Sequence, residues 1–247
     1  MSYVVLRSHG VHIAEEHAAA DLNATSVGCD DAPLADIKSF VFGVDLDGVC
    51  ADFYGMMRPI VADWLGVDVE MLSPTDFEYG LKAWGVRDGV HYQRIHRYAI
   101  TQRRLFLDVE PIPGAGPALR RLAEDGVHVR VITHRLFIPH FHQQAVTQTV
   151  EWLDKHGIPY WDLCFVADKV EVGADLYVED TPKNIESLAM LDKPVIVFTN
   201  PTNRDLEVGD MRADTWQDVE DIVRRFVALS GKSIDPATGD EATVGPD

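Results

Sequence analysis

Two aspartates, Asp45 and Asp47, close an apolar run in the stretch FVFGVDLDGVCADF at 40–53. An ionised carboxylate can attack phosphorus directly, giving an aspartyl-phosphate and dividing one slow hydrolysis into two easier steps. A second carboxyl two residues on can protonate the leaving oxygen in the first step and activate water in the second. Four more residues suit the same chemistry: Thr133 in VITHR, Lys169 in ADK, and Glu179 and Asp180 in DLYVED. Carboxylates gathered at one site repel each other, and a hard cation with oxygen ligands is the simplest remedy; beside phosphate that cation is usually Mg²⁺. Like charge raises one carboxyl pKa while metal ligation lowers another, so one Asp enters protonated and the other ionised. Lys169 offsets repulsion between nucleophile and phosphate, and Thr133 with the amides after it suits the phosphoryl oxygens. Positioning and charge neutralisation are most of what this reaction asks of a protein.

The elements that must position these residues can be read from hydrophobic pattern. Short apolar runs at 39–46, 127–132, 162–167, 175–180 and 194–199 read as buried strands. Helical patterns lie at 116–125, at 141–156 before Gly157 and Pro159, and over NIESLAML. Strands alternating with helices predict an α/β fold with a parallel sheet, whose sites form beyond the C-terminal strand ends. Asp45, Asp47, Thr133, Lys169, Glu179 and Asp180 all fall there, and Gly48 permits the sharp turn after the first strand. Asp175 starts its strand and is left out of the site. The segment 54–104, rich in aromatic, Arg and His residues, reads as a mainly helical cap inserted after the first strand. The expected organisation is an N-terminal extension at 1–37, a core of 38–53 and 105–230, the cap at 54–104, and a disordered tail at 231–247.

Composition removes several function classes. The charge balance is 22 basic against 40 acidic residues, a net of −18, without the basic run that tracks a nucleic-acid polymer. That acidity also opposes small anions at long range, so a phosphorylated substrate needs local cationic help from a metal, Lys or Arg. Three cysteines, Cys29, Cys50 and Cys164, are odd in number and widely spaced, which suits a reducing compartment. No apolar stretch reaches the roughly 18 residues of a membrane span, and no secretory signal is visible, so the cytoplasm is the expected location. His134, His140 and His142 lack partners for a tetrahedral zinc site and read as helix-surface or phosphate-neighbouring groups. Tyr79, Trp84, His91, Arg94 and Tyr98 in the cap either contact substrate or pack a small helical core. Taken singly, a DxD is a solvated pair, Thr133 a strand-end hydroxyl and Lys169 a surface charge. Their order and strand-end placement give them weight.

DLDGV at 45–49, Thr133 in VITHR, Lys169 and the acidic pair in DLYVED resemble the four motifs of the haloacid dehalogenase-like phosphatases. DGVCADF, LFLDVEPIPGA, ADKVEVGADLYVEDTPKN and FTNPTNR further resemble the 5′(3′)-deoxyribonucleotidases, over about residues 40–226. The resemblance implies a Rossmann-like core with a small cap, and Mg²⁺-dependent hydrolysis of a mononucleotide. By position it implies that Asp45 is nucleophile and metal ligand, and that Asp47 is acid/base and a ligand through its backbone carbonyl. Thr133 and Lys169 match the phosphate-binding pair, with His134 beside them. Asp180 matches a metal ligand with Glu179 next to it, and Phe53 an aromatic of the base pocket. Glu179 departs from the Asp usual there. The cap matches poorly, so a sugar phosphate or other small metabolite is the alternative substrate, and a non-catalytic nucleotide-binding protein a third reading. The expected partners are a small phosphorylated substrate and a second copy of the chain in a homodimer, with neither nucleic-acid polymer nor membrane.

Overall fold

The computed structural model describes residues 3–7, 10–14, 39–136, 141–207 and 211–232. Cys29, His140, most of 1–37 and the tail beyond 232 lie outside the described residues. Six strands run parallel: β3 (Val41–Val44), β4 (His128–Thr133), β5 (Asp162–Phe165), β6 (Leu176–Glu179), β7 (Val195–Phe198) and β8 (Arg212–Ala213). A hairpin of β1 (Tyr3–Arg7) and β2 (Gly10–Ala14) adds antiparallel to β5, giving the order β2-β1-β5-β4-β3-β6-β7-β8. No element was expected in that first segment.

Alternation along the strands sorts side chains to two apolar layers. Phe42, Val44, Val129, Val131, Leu163, Leu176 and Val178 face one side, where α4 (Ala115–Glu124), α5 (His142–His156) and α7 (Trp216–Ser230) cover them. Ile132, Cys164 and Tyr177 face the other, against Leu188 of α6 (Pro182–Met190). Gly43 belongs to this second face, where an added Cβ would sit 3.0 Å from both Ile132 and Tyr177. α7 starts at a reciprocal cap in which Asp218 N donates to Thr215 Oγ1 and Thr215 N to the Asp218 carboxylate. It buries Trp216, Val219, Ile222, Val223 and Val227 at helical spacing.

The cap forms its own core. It comprises α1 (Phe53–Leu65), single 3₁₀ turns at Val69–Met71 and Lys82–Trp84, and α2 (Gly89–Arg103), leading to the short α3 (Leu105–Asp108) at the return to the core. Met57, Ile60, Leu72, Phe77, Leu81, Trp84, Ile95 and Ile100 pack inside it. Asp52 caps α1 by accepting from Gly55 N at 3.0 Å, and left-handed Gly66 ends it. The cap meets the core through Gln148, whose side chain donates to Ile100 O at 3.1 Å, and through an Arg204 hydrogen bond to Thr75 O. Among the described residues no helix is long and apolar enough to cross a membrane.

Candidate active site

β3 lies between β4 and β6, with Val44 in register with Val131 and Val178. The chain turns to opposite sides of β3 after it, which makes its C-terminal end the place where loops diverge and a crevice opens. Asp45 follows β3 directly, Thr133 and Glu179 end their strands, and Asp180 comes next. Lys169 enters from the loop after β5.

The Lys169 ammonium sits 2.6 Å from Asp45 Oδ1 and 2.6 Å from Glu179 Oε2, and all three side chains are buried. Leu46 N donates a second bond to Asp45 Oδ1 at 2.7 Å, so Oδ2 accepts none from the described residues. Both Glu179 oxygens have partners: Oε2 takes Lys169, while Oε1 accepts from Asp180 N at 3.1 Å and Thr181 N at 3.0 Å. Asp180 accepts from Thr181 Oγ1 at 3.1 Å and from Asn200 Nδ2 at 2.6 Å. Asn203 in turn donates to Asp180 O at 2.7 Å and Phe198 O at 2.8 Å, pinning the β6 and β7 loops together. Gly48, at φ +87°, passes so close that an added Cβ would stand 2.1 Å from Asp180 Oδ2.

Charge here is unbalanced. Burial, then the neighbouring Glu179, pushes the Asp45 carboxyl up to about 8 against the pull of Lys169. Burial raises Asp180 too, with Glu179 and Asp45 adding to it. Burial opposes ionisation of Glu179, but Lys169 outweighs it and holds that carboxyl below its ordinary value. The same carboxylates overcome burial to keep Lys169 charged. One ammonium therefore satisfies one acid and leaves two short of positive charge. Asp45, Glu179 and Asp180 present oxygens within 4.8 Å of one another, a donor set of hard oxygens that fits a divalent cation such as Mg²⁺.

Asp47 stands apart from this cluster. Its carboxylate, 25% exposed, is held by Arg135, whose Nη2 donates to Oδ1 at 2.7 Å and Nε to Oδ2 at 3.1 Å. Thr133 is buried, and its hydroxyl accepts from Arg135 N at 3.3 Å. His134 borders the site with Nε2 3.3 Å from Asn184 Nδ2; burial, then Lys169, lowers it to about 4 and keeps it neutral.

Above the carboxylates opens a cavity of about 290 Å³ between core and cap. Phe53, Tyr54, Tyr79, Tyr92, His96 and Phe106 form one wall; Lys183, Asn184 and Ser187 from α6 face it. Of the cap residues singled out in the sequence, Tyr79 lines the cavity. Trp84 is buried in the cap, donating to Ser73 O; the Trp64 indole donates to His91 Nε2; Tyr98 packs on Trp64; Arg94 is exposed. Sequence reasoning missed Tyr54, Tyr92, His96 and Phe106, which look like ordinary core aromatics, and it missed Arg135. A signal for Arg135 existed: it shares the parity of Thr133 past a strand end, and it is a charge amid apolar residues.

The family described as "5' nucleotidase, deoxy (Pyrimidine), cytosolic type C protein" matches residues 39–229. A Chlorobaculum tepidum protein named "Putative 5'(3')-deoxyribonucleotidase" is 52% identical over 190 residues, 77% of this chain and 93% of its own. The mitochondrial 5'(3')-deoxyribonucleotidase of Mus musculus is 25% identical over 206 residues, 73% of this chain and 85% of its own. A "Putative Phosphatase" structure from Clostridium difficile superposes with TM-score 0.51 at 13% identity, covering 75% of this chain and 99% of that one, a likeness of fold alone.

Proposed function

The chain belongs to the deoxy, cytosolic type C 5′-nucleotidase family with a haloacid dehalogenase-like fold and is a phosphoric monoester hydrolase, and from that premise we propose that it hydrolyses nucleoside monophosphates, deoxy forms included, through phosphorylation of Asp45. The observation that carries this reading is the placement of Asp45 and Asp47 at the floor of a cavity walled by aromatic rings, with the Lys169 ammonium behind them 2.6 Å from Asp45. A nucleobase is flat, and stacking it on such a ring is worth about 1–3 kcal/mol per base.

In the first step an oxygen of Asp45 bonds to phosphorus as the ester bond breaks, and the leaving oxygen takes a proton from Asp47. In the second, water adds to phosphorus, the Asp45–phosphorus bond breaks, and the water proton passes to Asp47. Lys169 keeps Asp45 oriented and offsets the approaching phosphate charge. The Thr133 hydroxyl and the loop amides after β4 suit the phosphoryl oxygens. Asp45 and Asp180, with the Asp47 carbonyl, are the residues that would hold Mg²⁺, and Glu179 adjoins them while anchoring Lys169. When bound, the cation would keep the Asp45 and Asp180 carboxyls ionised and neutralise charge developing on the phosphoryl group.

The test is phosphate release from a panel of deoxynucleoside, ribonucleoside and sugar phosphates, with Mg²⁺ and with EDTA. A nucleotide should be cleaved fastest, only with Mg²⁺, and Asp45→Asn should stop turnover without unfolding. Metal-independent cleavage, or a sugar phosphate preferred over every nucleotide, contradicts the reading.

A further inference from the structure

Arg135 is the only group among the described residues that hydrogen-bonds the Asp47 carboxylate. Its side chain is wholly buried. The guanidinium carbon lies 4.4 Å from the centre of the Phe106 ring and 5.6 Å from that of Trp152. Its Nη1 donates to Thr149 Oγ1 at 3.3 Å, and that hydroxyl donates to Ala145 O at 2.7 Å. The fork is thus clamped between α5 and α3 before it reaches Asp47. Burying a guanidinium costs several kcal/mol, and the aromatic surroundings by themselves would suit an apolar side chain better. What the charge meets is Asp47.

We infer that Arg135 is a positioning residue that aims the Asp47 carboxyl at the leaving-group oxygen. This rests on the phosphatase reading above and adds to it the part that sets Asp47 in place. A proton donor must come within about 2.6–3.2 Å of the atom it serves. Asp47 follows the strand in a loop and is partly exposed, so without the fork its side chain turns freely toward solvent. Bonds to both oxygens fix the carboxylate plane, which a single contact leaves free to swivel. Phe106 also lines the substrate cavity, so the residue that steadies Arg135 borders the bound substrate.

Leaving groups separate positioning from a purely structural role. A nucleoside alkoxide needs a proton as it departs; p-nitrophenolate does not. Leaving-group release in the first turnover is followed for a deoxynucleoside monophosphate and for p-nitrophenyl phosphate, with wild type, Arg135→Gln, Arg135→Lys, Asp47→Asn and the Arg135→Gln/Asp47→Asn double variant. Because the ratio of the two rates does not depend on the folded fraction, partial unfolding cancels. Arg135→Gln should slow nucleoside release about 10²-fold and p-nitrophenol release less than about fivefold. In the Asp47→Asn background it should add no further loss to nucleoside release. Arg135→Lys keeps the charge and most of the packing but not the fork; it should change the ratio in the same direction, by less. Equal slowing of both compounds, or losses from the two sites that multiply, overturns the assignment. Wild-type protein that splits neither compound overturns the phosphatase reading, and this one with it.

Discussion

His96 in α2 gives the protein a pH-dependent stability that can be measured without substrate. Its ring packs against Phe53, Tyr92 and Phe106, with centroids 5.7, 5.6 and 5.8 Å away, and neither ring nitrogen has a hydrogen-bond partner. Burial lowers its pKa from 6.5 to about 4; Asp47 opposes the shift and Arg135 adds to it. Below pH 6.5 the unfolded chain takes up a proton that the folded chain refuses. Stability therefore falls as pH drops from about 6.5 toward about 4 and levels off below. At about 1.36 kcal/mol per pH unit the full effect is roughly 3 kcal/mol, of which about 2 kcal/mol is lost between pH 7.5 and 5. His96→Phe keeps an aromatic ring and removes the titration. Urea unfolding of both proteins in EDTA, over that pH range, isolates the difference, since the other titrating groups are common to both. Wild type should lose about 2 kcal/mol more than the variant. Parallel stability curves would refute the reasoning.

Gly48→Ala places a Cβ against the Asp180 carboxylate at a left-handed φ, so displacement of that side chain should lower kcat about 10²-fold in steady-state assays. Lys169→Met leaves Asp45 and Glu179 buried without their shared cation; chemical denaturation should show a loss of about 3–5 kcal/mol at pH 7, with turnover abolished. Mg²⁺ at about a hundred times its Kd should stabilise wild type by about 2.7 kcal/mol in thermal melts and give a much smaller shift in Asp180→Asn.

The core of the fold was legible because its strands are short, continuous apolar runs ending in charge. VFGVD and LYVED announce both a buried strand and the place where it stops. The two-residue β8 has too little pattern to announce anything, and the β1–β2 hairpin sits in a segment of mixed composition, its strands paired with each other and β1 also with β5. At the site, Asp45, Lys169 and Asp180 are found by strand-end placement, since a parallel sheet brings those positions together wherever they stand along the chain. The cavity wall was harder. Tyr92 and His96 lie one helical turn apart among residues that pack the cap, and no periodicity tells a ring facing a cavity from one facing a core. Arg135 shows in the sequence only as a charge at the parity of Thr133, and the contacts with α3 and α5 that hold it are encoded by no local pattern.

The most direct test of the central claim is to find where the phosphoryl group goes. Protein mixed with excess nucleotide and Mg²⁺ is quenched in acid during turnover, digested, and its peptides weighed. One phosphoryl group should be found on Asp45 and should be lost on warming at neutral pH, as an acyl phosphate is. Steady turnover with no modified peptide, or with the group on any other residue, would contradict the account.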